Sequence, residues 1–209
     1  MPRVLSDEDV SGFRDRVCET AAKLFAAKGP EGVTMRELAA KLGVSAMTPY
    51  RYFKDKQDIL AAVRTRAFDR FAEALEKAFE GPGTVRERAL AKRDAYLRFA
   101  LGEPASYKLM FDLSQPNEES YPELVRAMNR ARNQMTSHIR AFAEEGLVSG
   151  DPELIGLVMW SHLHGVVMLH LANKLSPAYK ASPQYGIDQI VAEAMRIFGE
   201  GFRANRGRE

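Results

Sequence analysis

Apolar positions recur along this chain at helical intervals, and no stretch shows a sustained period of two. Phe13, Val17, Ala21 and Leu24/Phe25 repeat every three to four residues, which predicts a first helix. It stops at the breaker cluster KGPEG, Lys28 to Gly32. TMRE opens a second helix: Thr34 and Glu37 have the spacing of a capping box, in which each side chain satisfies a free backbone N–H. Leu38 and Leu42 supply its apolar stripe, and Gly43 permits the left-handed backbone that ends a helix. Val44 fills the turn and Ser45 caps a third short helix, so the order is a helix-turn-helix. Asp55 caps a long helix to about Glu80, which GPGT, Gly81 to Thr84, breaks. Further helices are predicted up to Gly102, over Pro104–Phe111, over Pro122–Glu145, from Asp151 to about Leu175, and over Ile187–Phe202. Polar loops are expected at Asp112–Ser120 and Ser176–Gly186. The predicted class is all-α.

Charge adds one feature to this outline. The net charge is only +2, but residues 34–66 carry seven Lys and Arg against three Asp and Glu. That local excess suits a surface facing phosphates. It overlaps GVSAMTPYRYFKDKQDIL, where aromatics, cations and a proline crowd a short segment. Ser45, Ala46, Met47 and Thr48 are small or flexible enough to approach base edges, and Met47 or the Thr48 methyl matches a thymine methyl. Tyr50 and Tyr52 can donate to phosphate oxygens, while Arg36, Lys54 and Lys56 add charge at the rims. Pro49 falls in the first turn of the third helix, where its missing N–H costs little. Thr48, as the residue before a proline, is biased away from helical geometry. Phe53 is expected in the core.

The single cysteine, Cys18, excludes an intrachain disulfide and fits a reducing cytoplasm. The N-terminus MPRVLSDEDV lacks the apolar run of a signal peptide. Ile155 to Asn173 carries no Asp, Glu, Lys or Arg, but Ser161, His162, His164 and His170 interrupt it, which favours a buried helix over a membrane span. The four histidines form no His-x-x-x-His or Glu-x-x-His pair, so no metal or other cofactor is expected.

AAKLFAAKGPEGVTMRELAAKLGVSAMTPYRYFKDKQDIL, within Val10–Val63, resembles the N-terminal pattern of the tetracycline-repressor (TetR) family of bacterial transcription regulators. The shared features are the Thr-capped helix, Ala-x-x-Leu-Gly-Val, and Tyr-x-Tyr-Phe-x-x-Lys. The chain departs from that family at Pro49, where an aliphatic residue is usual. The resemblance implies that Thr34 and Arg36 lie against the DNA backbone or groove edge. It implies base contacts from Ser45, Ala46, Met47 and Thr48, and phosphate contacts from Tyr50, Tyr52 and Lys56. PASYKLMF and Trp160-x-x-x-His164-Gly165 look like a subgroup marked by a Trp-x-x-x-His-Gly signature in its C-terminal domain.

The same resemblance divides the chain into a DNA-binding domain, residues 1–66, with a three-helix helix-turn-helix, and a larger helical bundle, residues 67–209, for ligand binding and dimerisation. Double-stranded operator DNA, a small apolar or aromatic effector and a second copy of the chain are the expected partners, with the last two long helices as the dimer interface. Trp160, His164 and Met168 share one helix face. Tyr96, Phe99, Tyr107, Met110, Phe111, Met128, Met135 and His138 are candidates to converge on it as a pocket lining. Each has a blander reading as plain core. An activator or a ligand-independent regulator fits the sequence as well as a repressor does. An enzyme built on His138 or His164 fits less well, because no nucleophile–base–orienter set is visible.

Overall fold

The computed structural model describes residues 7–111, 115–175 and 185–205. These residues form α1 (Asp7–Lys28), α2 (Met35–Leu42), α3 (Lys56–Phe79), α4 (Val85–Gly102), α5 (Pro104–Phe111), α6 (Pro122–Glu144), α7 (Pro152–Leu171) and α8 (Ile187–Asn205). No strand occurs among them. The predicted loop at 176–184, residues 112–114 of the other loop, the side chain of Phe202 and the tail from 206 lie outside the described residues.

Packing divides the chain into two compact units. One comprises Met1–Arg70 with Ala105–Asn129, the other Phe71–Pro104 with Arg130–Glu209. The helices α3 and α6 each begin in the first unit and end in the second.

In the first unit, the apolar stripe of α1 buries Phe13, Val17, Ala21, Leu24 and Phe25 against Leu38 of α2, Phe53 and the Ile59/Leu60/Val63 face of α3. Leu109 of α5 joins this cluster. Arg64 of α3, 1% exposed, is held by Met110 O at 3.3 Å, Gln115 Oε1 at 3.2 Å and the Glu118 carboxylate. Gln115 in turn donates to Gln57 O at 2.8 Å, which pins the 115–118 segment to α3. That network is why α5 and the start of α6 pack with residues 1–70.

The second unit packs α7 against α4 and α8. A core of Phe71, Tyr96 and Phe99 meets edge to face, with ring centroids 5.2 Å apart. Gly156 lets α7 approach α6: a Cβ there would lie 2.8 Å from the Thr136 methyl carbon.

Helix ends follow local chemistry. Gly43 adopts φ +68°, its N–H reaching Ala40 O and that of Val44 reaching Ala39 O, the Schellman arrangement. Asn173, at φ +58°, does the same for α7, with Lys174 N–H on Leu169 O at 2.8 Å. The helix therefore stops at Leu171 rather than near Leu175, because a left-handed asparagine closes it inside the uncharged run. The expected capping box at the start of α2 is half made. Thr34 accepts from Glu37 N–H at 3.2 Å, but the Glu37 carboxylate goes to Lys28 Nζ at 2.5 Å. A full reciprocal box forms instead at Thr84 and Glu87.

Candidate functional site

The segment after α2 is not the α-helix that Ser45 was expected to cap. Thr48 N–H bonds Ser45 O at 3.0 Å and Arg51 N–H bonds Thr48 O at 3.1 Å, so the chain makes two successive tight turns. The second is a 3-10 helix, Pro49–Arg51. Pro49 explains the tightening: it has no N–H to offer Ser45 O, and that carbonyl takes the Thr48 N–H instead. The Ser45 and Thr48 hydroxyls bond each other at 2.8 Å rather than a backbone amide. Thr48 keeps helical angles, φ −62° and ψ −46°, against the steric bias imposed by the following proline. Two consequences of Pro49 offset that bias. Its ring is buried, and its carbonyl accepts from both Tyr52 N–H and Phe53 N–H at 3.0 Å. Phe53, 2% exposed, anchors the end of the turn in the core, with the Arg14 guanidinium 4.1 Å from its ring centroid.

Of the residues proposed to touch DNA, Thr34, Arg36, Ser45, Ala46, Met47 and Tyr50 are exposed. Met47 is 69% and Tyr50 46% exposed, unusual values for large apolar side chains on an otherwise well-packed unit. Thr48, Tyr52 and Lys56 are half-buried. The Tyr52 ring lies 4.4 Å from that of Phe13, so it braces the turn against α1. Lys56 Nζ sits 3.4 Å from Glu31. Asp55 caps α3 through Asp58 N–H at 2.9 Å, as expected from the sequence.

The second unit contains a cavity of about 580 Å³, in the range of small-molecule sites. Its walls come from α4, α6, α7 and α8, with Leu75 of α3 and the 147–148 turn completing them. Tyr96, Met135, His138 and Trp160 line it. His164 and Met168 do not, although His164 stays beside Trp160 at 5.9 Å. Phe99 belongs to the core next to Phe71. Tyr107, Met110, Phe111 and Met128 are in the other compact unit, where Tyr107 packs on Phe111 at 4.9 Å.

Sequence reasoning passed over Lys92, which also lines the cavity. It is 4% exposed and donates to Ser137 Oγ at 2.6 Å and Gln134 Oε1 at 3.1 Å. Its Nζ lies 4.7 Å from the Phe79 ring centroid. Burial pulls its pKa down to about 8; Glu76 opposes the shift and Arg140 adds to it. A sequence signal existed: Lys92 is seven residues from both Val85 and Phe99, on the stripe of α4 that buries them. His138 is brought to about 4 by burial and by Lys92, so it is neutral near pH 7, and its Nδ1 has no hydrogen-bond partner. Among the described residues, no group of three or more His, Cys, Asp or Glu could hold a metal ion.

These sites coincide with recognised sequence families. Residues 17–63 match the family described as bacterial regulatory proteins, tetR family, and residues 88–194 match the tetracyclin repressor-like C-terminal domain. The chain belongs to the tetR family of bacterial regulatory proteins. The HTH-type transcriptional regulator SAUSA300_2515 of Staphylococcus aureus (strain USA300) is 41% identical over 64 residues, 31% of this chain and 35% of that protein. The chain thus spans about a third of the length of this curated relative. A protein of unknown function from Rhodococcus sp. RHA1 superposes with a TM-score of 0.78 at 25% identity, over 97% of this chain and 98% of that one. The TetR family transcriptional regulator PfmR from Thermus thermophilus gives 0.63 at 26% identity, over 85% and 98%.

Proposed function

We propose that this regulator is a ligand-responsive repressor that acts in the cytoplasm. It binds a pseudo-palindromic operator as a homodimer and leaves it when a small, largely apolar effector fills the cavity. Residues 1–66 serve as the DNA-binding domain and residues 67–209 as the effector and dimerisation domain. The observation that carries this reading is the exposed turn Ser45–Arg51: it presents Met47 and Tyr50 to solvent while Pro49 and Phe53 lock it to the core. A short, rigid, exposed segment after a capped helix is what major-groove readout requires. Thr34 and Arg36 add backbone contacts at the start of α2. Met47 and the small side chains beside it face base edges, and Tyr50, Tyr52 and Lys56 hold phosphates.

The dimer reading rests on α7 and α8. Among the described residues, α7 is the one helix long and apolar enough to cross a membrane by length and composition. Its exposed Leu154 and Val158 lie on one face with Ser161, Gly165 and exposed Leu169, and α8 exposes Ile197. Such a stripe is suited to a second copy of itself across a two-fold axis. Coupling rests on α3, which contributes Leu75 to the cavity wall and whose capped start follows the recognition turn. An effector that binds the two arrangements of α3 unequally changes the spacing of the two recognition turns.

The test is selection of sites from random DNA with the purified dimer, followed by titration of the selected site across salt. An inverted repeat bound in a steeply salt-dependent way supports the reading. Weak binding that is blind to sequence, with no effector able to restore it, defeats it.

A further inference from the structure

The cavity has a chemical bias that its size does not explain. Four cations line it, Arg86, Lys92, Arg93 and Arg196, and no Asp or Glu does so among the described residues. Two of these cations are already matched: Arg93 pairs with Asp94 at 2.7 Å, and Arg196 with Glu193 and Glu200 at 2.6 and 2.7 Å. Lys92 differs. It is the buried one, and both of its partners are neutral, a serine hydroxyl and a glutamine carbonyl. The carboxylate in its network, Glu76, acts on Lys92 through its charge but is hydrogen-bonded elsewhere, to Arg130 Nε at 2.9 Å and to Gln134 Nε2 at 3.2 Å. An ammonium carries three donors; two make hydrogen bonds, and beside them the Phe79 ring face lies 4.7 Å from Nζ, a weaker partner than an anion. One turn beyond Gln134 on α6, His138 also lines the cavity, and its Nδ1 is buried without a hydrogen-bond partner.

From this geometry we infer that the effector is an organic monocarboxylate: its head group takes the third Lys92 donor and the His138 ring nitrogen, and its apolar body lies among Tyr96, Met135 and Trp160. This deepens the effector reading above and rests on it. A buried cation without a carboxylate in contact is costly unless something anionic completes it, and charge-assisted hydrogen bonds to a carboxylate are the strong kind. The apolar remainder of the wall gives no such preference, so the head group is where selectivity resides. His138, neutral near pH 7, donates to the head group in the tautomer that carries its proton on Nδ1.

Trp160 is the only tryptophan of the chain and lines this cavity, so its fluorescence reports occupancy directly. The experiment titrates the full-length protein at pH 7 with matched pairs of equal apolar bulk: decanoate against decanol, and 4-phenylbutyrate against 4-phenylbutanol. The acid of at least one pair is expected to bind about tenfold or more tightly than its alcohol. In Lys92→Met that preference disappears while alcohol binding is retained; Lys92→Gln, which keeps a polar head, gives the same loss. Circular dichroism establishes that both variants are folded. Alcohols binding as tightly as acids overturn the inference. So does an acid preference that survives both substitutions, and so does failure of every probe to bind. No DNA is present, so the outcome separates from the repressor reading. Acids that bind through Lys92 yet leave operator affinity unchanged sink the coupling and keep the head-group assignment. Operator release by a neutral apolar compound does the reverse.

Discussion

Arg64 in the first compact unit and Lys92 in the second are both almost wholly buried, at 1% and 4% exposure, and both sit on helices that otherwise bury apolar side chains. Their surroundings differ. Arg64 has a carboxylate, a carbonyl and an amide oxygen around its guanidinium, so its charge is matched within the chain. Lys92 has two neutral partners and a depressed pKa. A buried cation with its counter-ion in place is a strut holding segments together, whereas one without a counter-ion in contact carries its desolvation cost continuously. The first belongs to the packing of α3 with Met110, Gln115 and Glu118. The second belongs to a cavity that can be filled.

The sharpest way to break this comparison is to remove each cation. Arg64→Ala strands Glu118 and Gln115 and leaves a void beside Met110, and it is expected to cost about 4 kcal/mol of unfolding free energy, as for other broken buried pairs. Urea denaturation measures it, and a loss under about 1 kcal/mol would put Arg64 in the same category as Lys92. The contrasting prediction concerns pH. Burial lowers Lys92 from 10.5 to about 8, so between those values the unfolded chain binds the proton more tightly. Stability contributed by this site therefore rises as pH climbs from about 8 towards 10.5, by about 3 kcal/mol in the limit, and is constant below pH 8 where both states are protonated. The groups facing Lys92 are Glu76 of α3 and Arg140 and His138 of α6, and burial and Lys92 itself hold His138 at about 4, below that window. Lys92→Met, compared with the unsubstituted protein at pH 7 and pH 10, isolates the effect. The stability advantage of Lys92→Met at pH 7 shrinks at pH 10, and an advantage that does not change with pH would show that folding leaves the Lys92 pKa at its ordinary value.

The two regions were unequally legible in the sequence. The helical frame followed from apolar spacing and turn residues because both act locally, through backbone conformation and one buried stripe per helix. Gly43, Asp55 and the breaker at Gly81–Thr84 mark their boundaries for that reason. The end of α7 was misread because Asn173 closes the helix as a glycine would, and an uncharged run hides the stop. The recognition turn was half legible. The sequence placed Pro49 in a helical first turn at little cost and marked Thr48 as biased away from helical geometry, but did not show that the chain would tighten into 3-10 geometry there. The cavity was the least legible. Aromatics and methionines on helical stripes look alike whether they line a space or fill one. Tyr96 and Phe99 are three residues apart on α4, yet only Tyr96 lines the cavity. Which stripes meet is decided by long-range packing such as the Gly156 approach, which spacing does not encode. Lys92 was legible in principle, as a charge on a buried stripe, and was passed over because α4 carries many other charges.

Smaller effects separate the recognition turn from its support. Tyr50 is exposed and stands outside the buried cluster, so Tyr50→Ala is expected to weaken operator binding about tenfold while leaving stability within about 0.5 kcal/mol of the starting protein. Tyr52, with its ring on Phe13, is the control. Tyr52→Phe keeps the ring contact and removes only the hydroxyl, so any loss of affinity it shows belongs to a phosphate contact and not to the brace. A Tyr50→Ala protein that binds the operator normally would move recognition away from this turn.

The smallest expected change is at Lys56, and salt is what reveals it. Its ammonium lies 3.4 Å from Glu31, a weak and solvent-screened contact that contributes little to the fold. If it exchanges Glu31 for a phosphate in the complex, binding releases about one counterion through it. Lys56→Ala should then lower operator affinity by only a few-fold near about 0.1 M salt, uniformly across operator variants. The slope of log affinity against log salt should become shallower by about one. Glu31→Gln tests the exchange from the other side: with the competing carboxylate gone, affinity rises slightly and the slope stays as it was. An unchanged slope in Lys56→Ala would mean that this lysine stays with Glu31 on DNA, leaving Arg36 and the exposed turn to hold the backbone.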